Sequence, residues 1–207
     1  SKFAKLWPGV LEAFRLIGSE QIQGRASLGG NLCNGSPAGD SVPALIAAGC
    51  KAVIAGPKVR KDVHIENFHL GPGKTVLENG EMLVSLKFPK RVSNSADAYL
   101  RMTPRTEMDI AVVGCGVNIS LENEICTHAR VSLGAVAPTP LLIKEASDIM
   151  IGSKLDDDTL DRVSKICMDA CNPINDKRGT VDYRTKVAGV LFKRATKLAA
   201  ERIGGNK

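Results

Sequence analysis

The sequence predicts an α+β fold, and three observations carry that prediction. Short apolar runs of β-type composition lie between residues 50 and 136. Apolar residues at helical spacing lie before residue 49 and again after residue 140. Strands and helices therefore occur in separate blocks, which is typical of antiparallel sheets covered by helices rather than of a doubly wound α/β domain.

Two helices are predicted near the start of the chain. Apolar side chains recur at helical spacing over 8–18, where Gly18 is a natural C-cap. A second apolar run covers 41–48 and ends at Gly49, and Asp40 can cap its N-terminus.

Three strands are predicted to follow these helices. The runs 50–55 and 61–65 are separated by a Gly-Pro turn, and the run 81–89 ends at a proline. Residues 67–80 have loop-like composition. The sequence GPGKT within them does not fit a phosphate-binding P-loop, because Phe68 stands where the first glycine is needed.

A polar stretch, 90–96, is the best candidate domain boundary. Beyond it, three β-type runs are followed by three helical patterns. The strands are predicted over 98–103, 110–122 and 125–136 and the helices over about 141–151, 156–171 and 180–203. The last helix is predicted to bury one face, comprising Tyr183, Val187, Val190, Leu191 and Ala195.

Composition excludes several classes of function. The net charge is +6, but aromatic residues make up only 4% of the chain, too few for nucleic-acid stacking platforms. No apolar stretch approaches the ~20 residues of a membrane span, and the start lacks the apolar core of a secretory signal. The chain is therefore expected to be a soluble, cytoplasmic protein without a nucleic-acid partner.

The residues that usually carry chemistry are scattered. Six cysteines form no C-x-x-C pair, and three histidines lie far apart, so no metal site is expected. No arrangement of nucleophile and base stands out, so no catalytic residue is predicted. If the chain takes part in catalysis, a cofactor supplies the chemistry.

The glycine-rich segment 27–40, SLGGNLCNGSPAGD, has two interpretations from its residues alone. Gly29 and Gly30 lack Cβ atoms, so a ligand could approach the main chain closely, and Asp40 could accept a bond from a sugar-type hydroxyl. Alternatively, the segment is a tight loop whose aspartate caps the next helix. The residues favour neither.

Five blocks in order resemble the FAD-binding medium subunit of the molybdenum hydroxylases, the family of xanthine dehydrogenase and aerobic carbon monoxide dehydrogenase. They are QIQGRASLGGNLCNGSPAGD, FHLGPGKTVLENGEMLVSLKFP, YLRMTPRTEMDIAVVGCGV, ARVSLGAVAPTPLLIKEA and RGTVDYRTKVAGVLFKRA. The resemblance implies the C-terminal part of a two-subdomain FAD domain over 1–92. It also implies a small domain of antiparallel sheet and helices, like that of the carbon monoxide dehydrogenase flavoprotein, over 93–207.

The resemblance also implies roles for eight residues. The diphosphate of FAD would be contacted by Ser27, Gly29, Gly30 and Asn31, largely through the backbone. Asp40 would hold FAD hydroxyls, Leu83 would lie near the isoalloxazine ring, and Ile17 aligns with a position beside FAD that can be aromatic. Arg101 aligns with a family lysine near the polar edge of the flavin.

The implied function is electron transfer within a heteromeric oxidoreductase. A large subunit would hold the molybdenum cofactor and a small subunit two [2Fe–2S] clusters, and FAD in this chain would pass the electrons to an external acceptor. The family's FAD domain opens with a further segment that carries an Ala-Gly-Gly-Thr-type loop, which a separate chain could supply here. A cofactor-free assembly module is the alternative, and a relative of the enolpyruvyl-glucosamine reductases is disfavoured by the C-terminal blocks.

Overall fold

A computed structural model of the chain describes residues 2–106 and 108–205. Within these ranges the helices and antiparallel sheets confirm the predicted α+β class. The helices are α1 Lys2–Leu6, α2 Pro8–Arg15, α3 Glu20–Gln23, α4 Leu28–Cys33, α5 Ser41–Ala47, α6 Lys144–Met150, α7 Asp157–Asp169 and α8 Val181–Gly204. The strands are β1 Lys51–Ala55, β2 Arg60–His64, β3 His69–Gly71, β4 Lys74–Thr75, β5 Met82–Lys87, β6 Ser95–Met102, β7 Val113–Glu122, β8 Ile125–Gly134 and β9 Leu141–Leu142.

The N-terminal helices are shorter and more numerous than predicted. Helix α2 starts at Pro8, a residue suited to the first helical turn, and buries Val10 and Ala13. It ends at Arg15, and the chain then turns at Gly18, where φ is +68°. Helices α1, α3 and α4 were not predicted, because segments of four to six residues carry too little periodic pattern.

A three-stranded antiparallel sheet of order β2–β1–β5 follows α5. Ala52 and Ile54 of β1 face inward and are fully buried, while their partners on β5, Leu86 and Leu83, are half-buried. The three predicted strands are therefore present. Alternation along β1 places one face of this sheet against a first hydrophobic cluster that also contains α2 and α5 residues.

The segment predicted as a loop contains a small antiparallel hairpin. A 3-10 turn, Ile65–Asn67, leads into β3, which pairs with β4. Gly73 forms the tight turn with a φ of +70°. Two strands of three and two residues lie below the length at which composition distinguishes a strand from a loop.

The second half is a four-stranded antiparallel sheet of order β6–β7–β8–β9, covered by α6, α7 and α8. The predicted hairpin between β7 and β8 is present, and Asn123 and Glu124 occupy left-handed conformations at its turn. Helix α7 is capped by Asp156, whose Oδ1 accepts a bond from the amide N of Thr159 at 2.9 Å. The helical pattern that was predicted to start at 141 begins instead with strand β9, and α6 starts at Lys144.

The buried face of α8 differs from the predicted one. Leu191 and Ala195 are buried as expected, but Tyr183 and Val190 are each 41% exposed. Arg184 is buried instead, since its Nη1 donates to the carbonyl oxygen of Val112 and its Nη2 to Asp176. A guanidinium whose two Nη atoms are paired can occupy a core position that hydrophobic periodicity assigns to an apolar side chain.

The two faces of the larger sheet pack against different partners. One face of β7, including Val113 and Val117, belongs to a second hydrophobic cluster with α6, α7 and α8. The other face packs against α5, and a Cβ on Gly116 would lie only 2.6 Å from the carbonyl oxygen of Pro43. Glycine is therefore required at 116 for α5 to approach the sheet.

Candidate functional site

A buried carboxylate lies at the end of the glycine-rich segment. Asp40 is 8% exposed. Its Oδ1 accepts a 3.0 Å bond from Oη of Tyr99, and its Oδ2 accepts a 2.8 Å bond from Nη1 of Arg101. Arg101 also donates to the carbonyl oxygen of Leu16 at 3.1 Å. The fold thus brings Asp40 and Arg101, two of the predicted site residues, into a direct ion pair.

The side chain of Asp40 does not cap α5, so that prediction is wrong. The backbone of Asp40 is already helical, with φ −57° and ψ −40°, whereas a capping residue has an extended backbone. Instead, Oδ1 of Asn31 accepts bonds from the amide N of Ser41 at 3.2 Å and from its Oγ at 2.7 Å. Asn31 therefore ties the glycine-rich segment to the start of α5.

Burial controls the protonation of this cluster. Burial raises the pKa of Asp40, and the positive charge of Arg101 and the hydrogen bonds from Tyr99 and Arg101 oppose that rise only in part. Burial, followed by the neighbouring charge of Asp40, raises the pKa of Tyr99 well above its usual value. The phenol therefore remains a hydrogen-bond donor at neutral pH.

The two glycines at the start of the segment lie in a short helix, α4. Oγ of Ser27 accepts a 3.0 Å bond from the amide N of Gly30 and so caps α4. A Cβ on Gly29 would lie 3.3 Å from Cδ2 of Leu83, so these two predicted site residues are in contact range. Ser27 and Gly30 are exposed, and Gly29 and Leu83 are half-buried.

The β3–β4 hairpin forms hydrogen bonds with the middle of the glycine-rich segment. The amide N of Gly73 donates to the carbonyl oxygen of Gly35 at 2.9 Å. Nε2 of His69, which is buried, lies 2.7 Å from the carbonyl oxygen of Leu32 at the end of α4. Burial lowers the pKa of His69, so the neutral ring donates this bond.

Ile17 lies next to the ion pair along the chain. It follows Leu16, whose carbonyl oxygen accepts from Arg101, and its side chain is half-buried. Sequence reasoning missed Tyr99 and His69. Tyr99 precedes Arg101 by two residues on one strand, and that spacing on a single strand face could have identified it.

The residues present fit FAD on three grounds. The missing side chain of Gly29 leaves bare backbone beside Leu83, in a space that a Cβ would enter. Each oxygen of Asp40 accepts one bond within the protein, and a carboxylate oxygen accepts two, so a ligand hydroxyl can also be received. Arg101 adds a cation at the same place.

Family models and known proteins match nearly the whole length of the chain. The family model for the FAD binding domain in molybdopterin dehydrogenase matches residues 1–91, and that for the CO dehydrogenase flavoprotein C-terminal domain matches 98–199. The carbon monoxide dehydrogenase medium chain of Hydrogenophaga pseudoflava is 31% identical, over 93% of this chain and 67% of that protein.

A second relative and a solved structure extend this agreement. The xanthine dehydrogenase FAD-binding subunit of Escherichia coli O157:H7 is 30% identical, over 96% of this chain and 68% of that protein. The solved structure of reconstituted CO dehydrogenase from Oligotropha carboxidovorans matches with a TM-score of 0.94 at 30% identity, over 98% of this chain and 70% of that one.

The chain belongs to the FAD-binding medium subunits of the molybdenum hydroxylase family. Its predicted family, its FAD cofactor and its class, an FAD-dependent oxidoreductase subunit, are thereby confirmed. The chain spans about two thirds of the length of the medium subunits it matches. Across 2–106 and 108–205, no helix of this flavoprotein is both long and apolar enough to cross a membrane, and no cluster of His, Cys, Asp or Glu is arranged to hold a metal ion.

Proposed function

We propose that this chain transfers electrons through FAD within a heteromeric molybdenum-containing hydroxylase or dehydrogenase. The observation that carries the proposal is the buried pairing of Asp40 with Arg101 at the end of the segment that holds Gly29 and Gly30. A carboxylate that retains acceptor capacity and a cation suit the hydroxyl groups and the polar ring edge of a flavin nucleotide. The family membership of the chain supports the same reading.

Each predicted site residue has a role in this proposal. Ser27, Gly29, Gly30 and Asn31 contact the diphosphate, and Asp40 accepts a bond from an FAD hydroxyl. Leu83 and Ile17, both half-buried, exclude water from the ring, and Arg101 lies at its polar edge. Gly29 and Gly30 have no Cβ atoms, so the diphosphate can approach their backbone closely. Asp40 forms an ion pair with Arg101 and fixes the position of its positive charge.

The bound flavin supplies a group that accepts and releases one or two electrons, and the protein's part is to hold it. Arg101 is fixed by two acceptors, Asp40 and the Leu16 carbonyl, so its charge is pre-oriented before any ligand arrives. Tyr99 remains a donor to Asp40 and keeps that carboxylate in place. The site therefore needs no rearrangement of charge when FAD binds.

The partners in this proposal are a molybdopterin-binding large subunit and an iron–sulfur small subunit. Electrons pass from the iron–sulfur clusters through FAD to an acceptor outside the complex. The relatives named above are a carbon monoxide dehydrogenase medium chain and a xanthine dehydrogenase FAD-binding subunit, which supports a chain that works within a larger enzyme. The proposal places the complex in the cytoplasm.

The proposal also divides the chain into a partial FAD-binding domain, 1–92, and a C-terminal domain, 93–207. Two family models match on either side of this boundary. Two hydrophobic clusters support it, although Tyr99 and Leu142 pack with the first cluster from beyond the boundary.

Isothermal titration with FAD and the visible spectrum test the proposal. The chain, isolated with its partner subunits, is expected to show flavin absorbance. Asp40→Asn is expected to weaken FAD binding about tenfold or more, because a hydrogen bond to a charged group contributes about 1.5–3 kcal/mol. Asp62→Asn, which removes an exposed charge paired with Lys87, is the matched control and should leave affinity unchanged.

The outcome also decides between the proposal and a cofactor-free assembly module. Both oxygens of Asp40 already have partners within the protein, so the cluster is stable without a ligand. A complex that assembles with its partner subunits, lacks flavin absorbance and gives no heat with FAD would favour the assembly module and overturn electron transfer.

A further inference from the structure

A groove of about 650 Å³ lies at the end of the larger sheet where β7 finishes and β8 begins. None of the residues assigned to FAD lines it. One wall is formed by Trp7 and by Ala48 and Gly49, the two residues that follow α5. The other wall consists of polar residues on β7 and β8, and residues 89–93 close one side. Ligand pockets in proteins typically enclose about 300–1,000 Å³, so this groove is large enough for a small molecule.

Strand register places a set of polar side chains on one face within this groove. Ser120 of β7 lies directly opposite His128 of β8, and two residues further on Asn118 lies opposite Arg130. Alternate residues of a strand share a face, so these four side chains form two adjacent cross-strand pairs. Helix α5 packs on this sheet face at Gly116, and Ser120 on the same face lines the groove.

Two arginines lie at the groove, and each is paired with an acid. Arg91 lies 4.2 Å from the ring centroid of Trp7 and donates to Asn118 and Asp97. Arg130 donates from Nε to the Ile46 carbonyl oxygen and from Nη2 to Glu66, and neither bond uses its Nη1. These bonds fix both guanidinium groups, so the charges are held in place without a ligand.

Ser120 provides an independent sign of a missing partner. Ser120 is 4% exposed and lines the groove, and its buried Oγ has no hydrogen-bond partner among the residues that the structure describes. A buried hydroxyl without a partner is destabilising, so such groups normally pair with the protein, water or a ligand. Ser120 lies opposite His128 on the neighbouring strand.

Lys90 adds a further exposed cation at the groove, and Glu122 is the exposed acid there. Burial lowers the pKa of His128, and the charges of Arg130 and Arg91 lower it further. Although Asp97 and Glu66 pair with these arginines, the two positive charges contribute a positive potential at the ring. An anion placed beside it would cancel part of that potential and raise the pKa.

We propose that this groove is a second ligand site, which binds the phosphate group of a small molecule between Ser120, His128 and Arg130. The chemistry rests on a hydroxyl without a partner, a ring nitrogen and a guanidinium N–H, all of which can donate to phosphate oxygens. Lys90 supplies a mobile cation for the outer oxygens. The site is independent of FAD, since it shares no residue with the proposed flavin site.

Histidine NMR provides the first test, because the chain has only three histidines. Inorganic phosphate and glycerol 3-phosphate are titrated into the full chain, and the pKa of His128 is followed. Both ligands are expected to raise that pKa, with His64, an exposed residue outside the groove, as the internal reference. Stronger binding of glycerol 3-phosphate than of inorganic phosphate would show that the organic part also lies in the groove. Equal binding of the two would show that the groove recognises the phosphate group alone. Either result supports the site.

Variants and the single tryptophan provide the second test. Trp7 lines the groove, so its fluorescence reports binding directly. Ser120→Ala and His128→Gln are expected to weaken phosphate binding about tenfold or more, while His64→Gln leaves it unchanged. In the absence of phosphate, Ser120→Ala should unfold at the same or a higher urea concentration than the wild type, because Oγ has no partner to lose.

Two results would overturn the proposal. One is a dissociation constant of about 1 mM or weaker for both phosphate ligands, with no change in the pKa of His128. The other is equal affinity for phosphate and chloride that the two groove variants do not change, which would mean an adventitious ion only.

Discussion

A buried carboxyl on β6 should make the stability of this protein depend on pH. Asp97 is 2% exposed. Its Oδ2 accepts a 3.0 Å bond from the amide N of Val10 in α2, and its Oδ1 accepts a 3.1 Å bond from Arg91. Burial raises the pKa of Asp97 from 3.8 to about 6, despite the opposing effects of the Arg91 charge and the Val10 bond.

The size and sign of the effect follow from that shift. A shift from 3.8 to about 6 corresponds to about 3 kcal/mol, at 1.36 kcal/mol for each pKa unit. The folded protein holds this proton more tightly than the unfolded chain does. The stabilising contribution of Asp97 is therefore fully present below about pH 4 and is lost as the pH rises through about 6.

Urea unfolding between pH 4 and pH 8 measures this contribution in wild type and Asp97→Asn, which has no titrating group at 97. Trp7 fluorescence and far-UV circular dichroism follow the transition. The free energy of unfolding of the wild type minus that of the variant should fall by about 2 kcal/mol between pH 4 and pH 7, because the unfolded chain is already partly ionised at pH 4. Asp169→Asn, at an exposed position at the end of α7, is the control for the loss of a carboxyl outside the Asp97 cluster.

The reasoning is refuted if the difference between wild type and Asp97→Asn does not change with pH. It is refuted equally if the difference grows as the pH rises, since that would mean the folded state favours the ionised carboxylate. Other titrating groups cancel in the subtraction as long as they lie outside the Asp97 cluster.

Two further predictions concern backbone geometry and helix capping. Gly35→Ala should destabilise the protein by about 1–3 kcal/mol in urea unfolding, because φ is +66° and the new Cβ would lie 3.0 Å from the Gly73 backbone. Gly152→Ala, with φ +86° and open space around it, should lose only the stability that comes from the unfavourable φ, so equal losses in the two variants would contradict a role for the contact. Asp156→Ala should cost about 1 kcal/mol by removing the bond from the Thr159 amide, while Asp156→Asn retains the cap, so equal losses in these two variants would disprove capping by the side chain.

Local sequence patterns predicted most of the fold. The β7–β8 hairpin and helix α7 were identified because each has a long periodic run with clear end signals. The short helices and the β3–β4 hairpin were missed because they carry too little pattern, and the buried face of α8 was wrong because burial there depends on hydrogen-bond partners outside the helix. Arg184 lies in the core only because Val112 and Asp176, which come from other parts of the chain, accept its hydrogen bonds.

The candidate site was predictable as a set of residues but not as an arrangement. Glycine content and the family resemblance identified the segment that ends at Asp40. The ion pair with Arg101 joins residues 61 positions apart, and no spacing rule connects them. The contact between Gly35 and Gly73 is equally non-local, so the support that the hairpin gives to the segment appears only in three dimensions.

The Asp40 cluster also has a consequence for energetic coupling across the molecule. Asp40 immediately precedes α5, whereas Tyr99 and Arg101 belong to β6, and β6 packs against α8. A ligand that weakened the bonds from Tyr99 and Arg101 to Asp40 would therefore alter how firmly β6 is held. By thermodynamic reciprocity, any protein that docks on α8 and shifts β6 must change the affinity for that ligand by the same factor with which the ligand changes docking.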